Sequence, residues 1–128
     1  MHRVLIVCCL LLLAACSAPE LQNRFDDLPV GDPFSGEKLF LQANGEAPAC
    51  AACHMEDSTT ELAPNLIGFG ERAGSQVEGE SAEVYAFNSI LRPASFIVSG
   101  YSNTMFLNYD SHLEAADVAD LIAYILAL

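Results

Sequence analysis

Cys50-Ala51-Ala52-Cys53-His54 constrains this chain more than any other stretch, since it sets two thiols three positions apart and follows them at once with an imidazole. The spacing suits covalent haem attachment. Each thiol can add across one vinyl group to form a thioether, while the adjoining histidine is held under the iron as its proximal ligand. One turn of chain serves all three groups, and Ala51 and Ala52 are spacers. Two other chemistries use a CxxC pair. A zinc site wants four nitrogen or sulfur ligands, and beyond Cys16 only Cys50, Cys53, His54 and His112 are available, with no second CxxC. A thiol–disulfide exchange pair is expected in a βαβ setting, and no strand pattern of that kind surrounds these residues.

The start of the chain carries an export signal. Residues 1–15 contain a short basic region (His2, Arg3), an apolar run from Val4 to Leu13 and the small residues Ala14 and Ala15. That is the pattern of a cleaved signal peptide, and the run is too short to cross a bilayer comfortably. Leu13-Ala14-Ala15-Cys16 resembles the bacterial lipobox, in which the cysteine is lipidated and becomes the mature N-terminus. The plain alternative is an ordinary signal peptide with an incidental cysteine. Export agrees with the haem reading, because c-type haem is attached outside the cytoplasmic membrane. Cys8 and Cys9 are then discarded, which leaves Cys50 and Cys53 as the only thiols besides the anchor.

Residues 16–32 are polar, contain two prolines and show no sustained apolar period, so they are expected to form a flexible tether. Its reach as a coil is roughly 20 to 25 Å. Phe25 offers a point at which it could instead fold back. Residues 33–128 are enough for one small domain, and about 95 residues bury only a modest core on their own. A large apolar cofactor tied in by two thioethers would supply much of the missing interior.

Helical signals dominate this domain. Asp32 and Pro33 read as an N-cap followed by proline at the first helical position, and Gly36, Leu39, Phe40 and Ala43 follow at helical spacing until Asn44-Gly45. A helix is predicted over Pro33 to Ala43. A second is predicted from an N-cap at Ser81, carrying Val84, Phe87, Ile90 and Leu91 on a face that should line the cofactor pocket. It must end by Arg92 because Pro93 follows. The last is predicted over Glu114 to Ala127, with Val118, Leu121, Ile122 and Ile125 on one face.

These residues resemble the class I cytochromes c, a family of small all-α monohaem proteins. The resemblance extends over residues 33 to 128. CAACH matches the family's CxxCH, and Ala63-Pro64-Asn65-Leu66 is similar to its Gly-Pro-Asn-Leu, with Ala63 in place of the usual glycine. By that resemblance the Pro64 carbonyl accepts the second N–H of His54 and orients its ring, the usual fate of a metal-bound histidine's free nitrogen. Gly36, Phe40 and Tyr124 match the pattern by which the family's first and last helices cross beside the haem. Ser81 through Leu128 is similar to the monohaem cytochrome subunit of the quinol-oxidising alternative complex III, a lipoprotein, and to cytochrome c domains fused to oxidase subunit II. Two further positions depart from the family. Phe106 follows Met105 where proline is usual, and Glu114 stands where a serine or threonine cap is common.

The sixth ligand of the iron follows from elimination. Met55 and Met105 are the only methionines of the mature chain, and Met55 directly follows His54, which holds it on the proximal side. Met105 lies 51 residues beyond His54 on a Gly100-Tyr101-Ser102-Asn103-Thr104 approach that suits a distal loop, and the family has its methionine in this order. His112 is the competitor, and would give bis-histidine ligation with a lower potential. Arg72, Tyr101 and Asn103 are the candidates to meet the haem propionates.

The expected function is single-electron transfer through one covalent haem c, by a carrier or complex subunit rather than an enzyme, held on the outer side of a bacterial membrane in the cell envelope. Two alternatives stay open: a haem enzyme or gas sensor with an open sixth position, and a haem-free thiol oxidoreductase. No Ser-His-Asp set, phosphate loop or paired catalytic carboxylates points to a further activity, and His112 beside Asp110 reads as surface. All 17 acidic residues lie beyond Cys16, where the only basic ones are Arg24, Lys38, Arg72 and Arg92, so the mature balance is −13. Such a surface disfavours nucleic acid and anionic headgroups and suits a redox partner with a basic face.

Overall fold

Asp32 opens the first long helix as its position before proline predicts. Its carboxylate accepts the Phe34 N–H at 3.1 Å and the Ser35 hydroxyl at 2.8 Å, contacts that hold its pKa below the usual value, the Ser35 bond most of all. The computed structural model describes residues 24–55 and 62–128, and Cys16 with the signal segment lies outside them. Residues 24–26 are helical, and beyond them the described residues form, in order, α1 (Pro33–Leu41), α2 (Ala51–His54), α3 (Phe69–Ala73), α4 (Ala82–Leu91) and α5 (Ala115–Leu126). Short 3-10 turns at Pro93–Ser95 and Tyr109–Ser111 complete the set. Among the described residues there is no strand, so the fold is all-α.

Helix α1 ends at Leu41, two residues before the predicted stop at Ala43. Gln42 is already extended, and Asn44 and Ala47 pair their backbones in both directions at 3.0 Å around Gly45, whose φ of 61° suits glycine. That small turn claims the chain before the helix can use it. The other two long helices keep their predicted limits closely. Ser81 caps α4 through the Val84 N–H at 3.3 Å, and α4 stops before Pro93. Glu114 caps α5 despite not being serine or threonine: its side chain accepts the Asp117 N–H while the Asp117 carboxylate accepts the Glu114 N–H at 2.9 Å. The reciprocal pair satisfies two of the free N–H groups at that end. It also puts negative charge on the positive end of the helix.

Helices α1 and α5 cross at Gly36, close enough that a Cβ there would lie 2.0 Å from the Asp120 carbonyl oxygen. Just beyond the crossing the Phe40 and Tyr124 rings meet tilted at 58°, 5.3 Å between centroids, and the Asp32 N–H donates to the Asp120 carboxylate at 2.7 Å. Helix α3 docks on the end of α5 in the same manner, with Gly70 against the Leu126 carbonyl. The core between them is built from Phe40, Phe69, Tyr85, Phe87, Leu91, Val118, Leu121 and Ile125, all buried. Residues 24–31 of the 16–32 stretch lie on this body. Phe25 meets Phe87 edge-on at 5.4 Å and Leu28 packs against the core, the fold-back that the sequence allowed for Phe25. None of the described helices is long and apolar enough to cross a membrane.

Candidate functional site

The single turn α2 carries the attachment residues, with Cys50 at its cap and Cys53 and His54 in its last half. Cys50 and Cys53 are unpaired thiols, both half-buried. Burial pushes the Cys50 thiol up to about 11. A redox-active CxxC cysteine works by the opposite shift, toward an accessible thiolate. Among the described residues no three His, Cys, Asp or Glu side chains come together to hold a metal ion by themselves.

His54 is oriented from outside its own turn. Its Nδ1 lies 2.9 Å from the Pro64 carbonyl oxygen, which can only accept, so Nδ1 carries the proton and Nε2 keeps its lone pair. Burial holds the ring below its ordinary pKa, and the carbonyl offsets this only in part. A neutral imidazole aimed by a backbone carbonyl is the form that ligates a metal. Ala63 costs nothing here. No non-glycine among the described residues has positive φ, so the loop does not need the glycine found in relatives. Arg72 clasps the same loop, donating to the Asn65 and Ile67 carbonyls, while its guanidinium sits 5.8 Å from the Phe69 ring centroid.

Beside His54 opens a cleft of about 150 Å³, partly open to solvent. His54 and Met105 both line it, as do Pro64 and Phe69 on one side and Phe96 and Ile97 on another. Arg72, Tyr101 and Asn103, the three propionate candidates, line it too. A smaller cavity of about 20 Å³ shares Met105 and reaches Cys50, Pro48 and Tyr109. Helix α4 contributes differently from its predicted face. Tyr85 and Ser89 meet the main cleft and Ile90 the smaller cavity, whereas Phe87 turns into the core against Phe25. The helical period identifies a buried face but not which of two buried neighbours each residue meets.

Met55 is 40% exposed and lines neither cavity. His112 lines neither as well; its Nδ1 is 2.9 Å from the Asn108 carbonyl and its ring lies against Phe106. The residues that sequence reasoning missed are aromatic. Phe106 and Tyr109 pack edge-on at 5.1 Å, and the Tyr109 hydroxyl donates to the Pro48 carbonyl at 2.9 Å. Their spacing with His112, every third residue after Met105, was the available signal.

Neither thiol lines the main cleft, Cys50 facing the smaller cavity instead, but an apolar slot with a lone-pair nitrogen and a thioether on its walls, next to the turn that carries both thiols, fits a large flat metal macrocycle with two unsaturated substituents. A family model for Cytochrome c matches residues 35–128. The chain therefore belongs to the cytochrome c family, and its cofactor is covalent c-type haem, for which Cys50 and Cys53 of the CxxCH motif are the candidate attachment points. No curated protein matches the chain, and no solved structure does.

Proposed function

We propose that this chain is a His/Met-ligated, membrane-anchored electron carrier, or a subunit of a quinol-oxidising or terminal-oxidase complex. Membership of the family supports haem-based electron transfer in general. The finer reading is carried by the placement of Met105, which shares the cleft with His54, whereas His112 is turned away to the Asn108 carbonyl. The haem supplies the redox couple when bound, its iron passing between ferric and ferrous. The protein's part is to fix the two ligands and exclude water. His54 is aimed by Pro64; Cys50 and Cys53 would tether the group, and Met105 would supply a second ligand to it, a ligand pair that raises the potential.

In Met105→Ala the weak red absorption band of the ferric His/Met state should vanish and the potential should fall, by about 0.1 V or more given the span that axial ligands command. His112→Ala should keep the band. Its loss only in His112→Ala would assign the ligand to His112. A wild-type ferrous protein that binds carbon monoxide readily would instead favour the open-site alternative.

We infer the anchor from Leu13-Ala14-Ala15-Cys16. Mature protein should partition with membranes, and Cys16→Ala should alter its processing and release it. Several acyl chains are required, since one alone binds reversibly. Soluble wild-type protein with the mass of an unlipidated chain would end this reading. The similarity of residues 81–128 to the alternative complex III subunit supports a place in such a complex, in the bacterial envelope. The mature charge of −13 favours a basic partner face, so the rate of electron exchange should fall as salt rises; a flat salt dependence would remove that role.

A further inference from the structure

The loop that carries Met105 lacks the proline that fixes its backbone in relatives, and the structure contains a substitute. A methionine has three rotatable bonds and a soft thioether. Its hold on iron therefore depends on how firmly the surrounding chain places it. Phe106 has no ring to lock its own φ, but its side chain is gripped. It meets Tyr109 at 5.1 Å and 77°, and His112 at 5.6 Å and 70°. Tyr109 is itself buried, and its hydroxyl donates to the Pro48 carbonyl at 2.9 Å. Pro48 stands two residues before Cys50. A second tie runs parallel: the Asn44 amide donates to the His112 carbonyl at 2.7 Å, from the turn that Asn44 and Ala47 close on each other. The segment leading into the thioether cysteines and the segment leaving Met105 are thus braced across the smaller cavity, which Pro48, Cys50, Met105 and Tyr109 all line.

We propose that Tyr109, anchored on the Pro48 carbonyl and holding Phe106 edge-on, is the positioning residue for Met105 in place of the usual proline. This rests on Met105 being the sixth ligand. Its consequence is that opening of the distal side is governed by a hydrogen bond made to the proximal segment.

The test uses the ferric holoprotein and imidazole, which binds iron only when methionine leaves, with the red band as the monitor. Tyr109→Phe keeps the ring and removes one hydrogen bond to a partly buried carbonyl, so imidazole should bind roughly three- to tenfold tighter than to wild type. Phe106→Ala should show a gain at least as large. In the Phe106→Ala background, removing the Tyr109 hydroxyl should change affinity less than about twofold, because coupled residues are not additive. Ile125→Val, which loosens the core away from the loop, should lower the melting temperature without changing imidazole affinity. Wild-type imidazole affinity in Tyr109→Phe would overturn the proposal. So would a Tyr109 effect undiminished in the Phe106→Ala background, or an equal gain in Ile125→Val, which would leave Tyr109 a general structural residue. If instead wild type lacks the red band and resembles Met105→Ala, the ligand assignment itself falls and the brace falls with it.

Discussion

Replacing both Cys50 and Cys53 with alanine should leave a haem-free chain that melts without a cooperative transition and has lost much of its helix at 25 °C. The reason lies in the cleft beside His54, about 150 Å³ of space that no side chain fills. Leu62, Phe96 and Ile97 line it and are 51%, 40% and 42% exposed to solvent. Fully burying one such side chain is worth about 1.5–3 kcal/mol, so leaving three of them half-covered forfeits roughly 3 kcal/mol before any loss of packing is counted. The whole domain has only about 5–15 kcal/mol to lose. The turn α2 is more exposed to the loss than its length alone suggests. It has four residues, far below what holds a helix by itself, and none of them is fully buried. Thioethers at Cys50 and Cys53, the candidate attachment points, would hold it in place. Far-ultraviolet circular dichroism and calorimetry on the haem-free double variant give the answer. A sharp calorimetric transition at holoprotein helix content would mean that the core folds without its cofactor.

What could be read in the sequence was whatever a short local pattern encodes. The caps at Asp32 and Ser81 and the stop at Pro93 are interactions within a few residues, so α1 and α4 begin, and α4 ends, where they were expected. The far end of α1 was overrun because the competing turn at Asn44 to Ala47 is held by His112, 68 residues away. Helix α3 was not foreseen: five residues between Gly68 and Gly74 carry too little period to register, and what places them is the α5 backbone against Gly70. The attachment motif was legible because thioether chemistry dictates its spacing. The Met105 loop was legible only as an order along the chain. Its brace, Tyr109 on Pro48, spans 61 residues and involves a backbone carbonyl, which leaves no mark in a side-chain pattern. The departure at Phe106 looked like a missing constraint, and three-dimensional packing turned it into a different one.

Gly36→Ala should lower the melting temperature by roughly 10–20 °C, which for a domain near 100 residues corresponds to about 2–3 kcal/mol. The local effect has the opposite sign, since alanine is favoured over glycine inside a helix by about 0.5–1 kcal/mol. Packing decides the outcome. A Cβ at Gly36 would sit 2.0 Å from the Asp120 carbonyl oxygen, 2.6 Å from its carbon and 2.8 Å from the Tyr124 Cβ. Two of those atoms are backbone and cannot rotate aside, so α1 and α5 must move apart as bodies. Separation opens the Phe40–Tyr124 contact and the Asp32 to Asp120 bond together. Insertion into a packed interface costs about 1–3 kcal/mol and occasionally more, which exceeds the propensity gain. Gly74→Ala supplies the contrast: its φ is −68° and its nearest neighbour to an added Cβ is 3.6 Å away, ordinary contact. That variant should match or slightly exceed wild-type stability, because the unfolded chain loses freedom at no structural cost. Thermal melts of the two holoproteins, side by side, separate the effects. Equal melting temperatures would mean that the crossing of α1 over α5 is looser than this geometry requires.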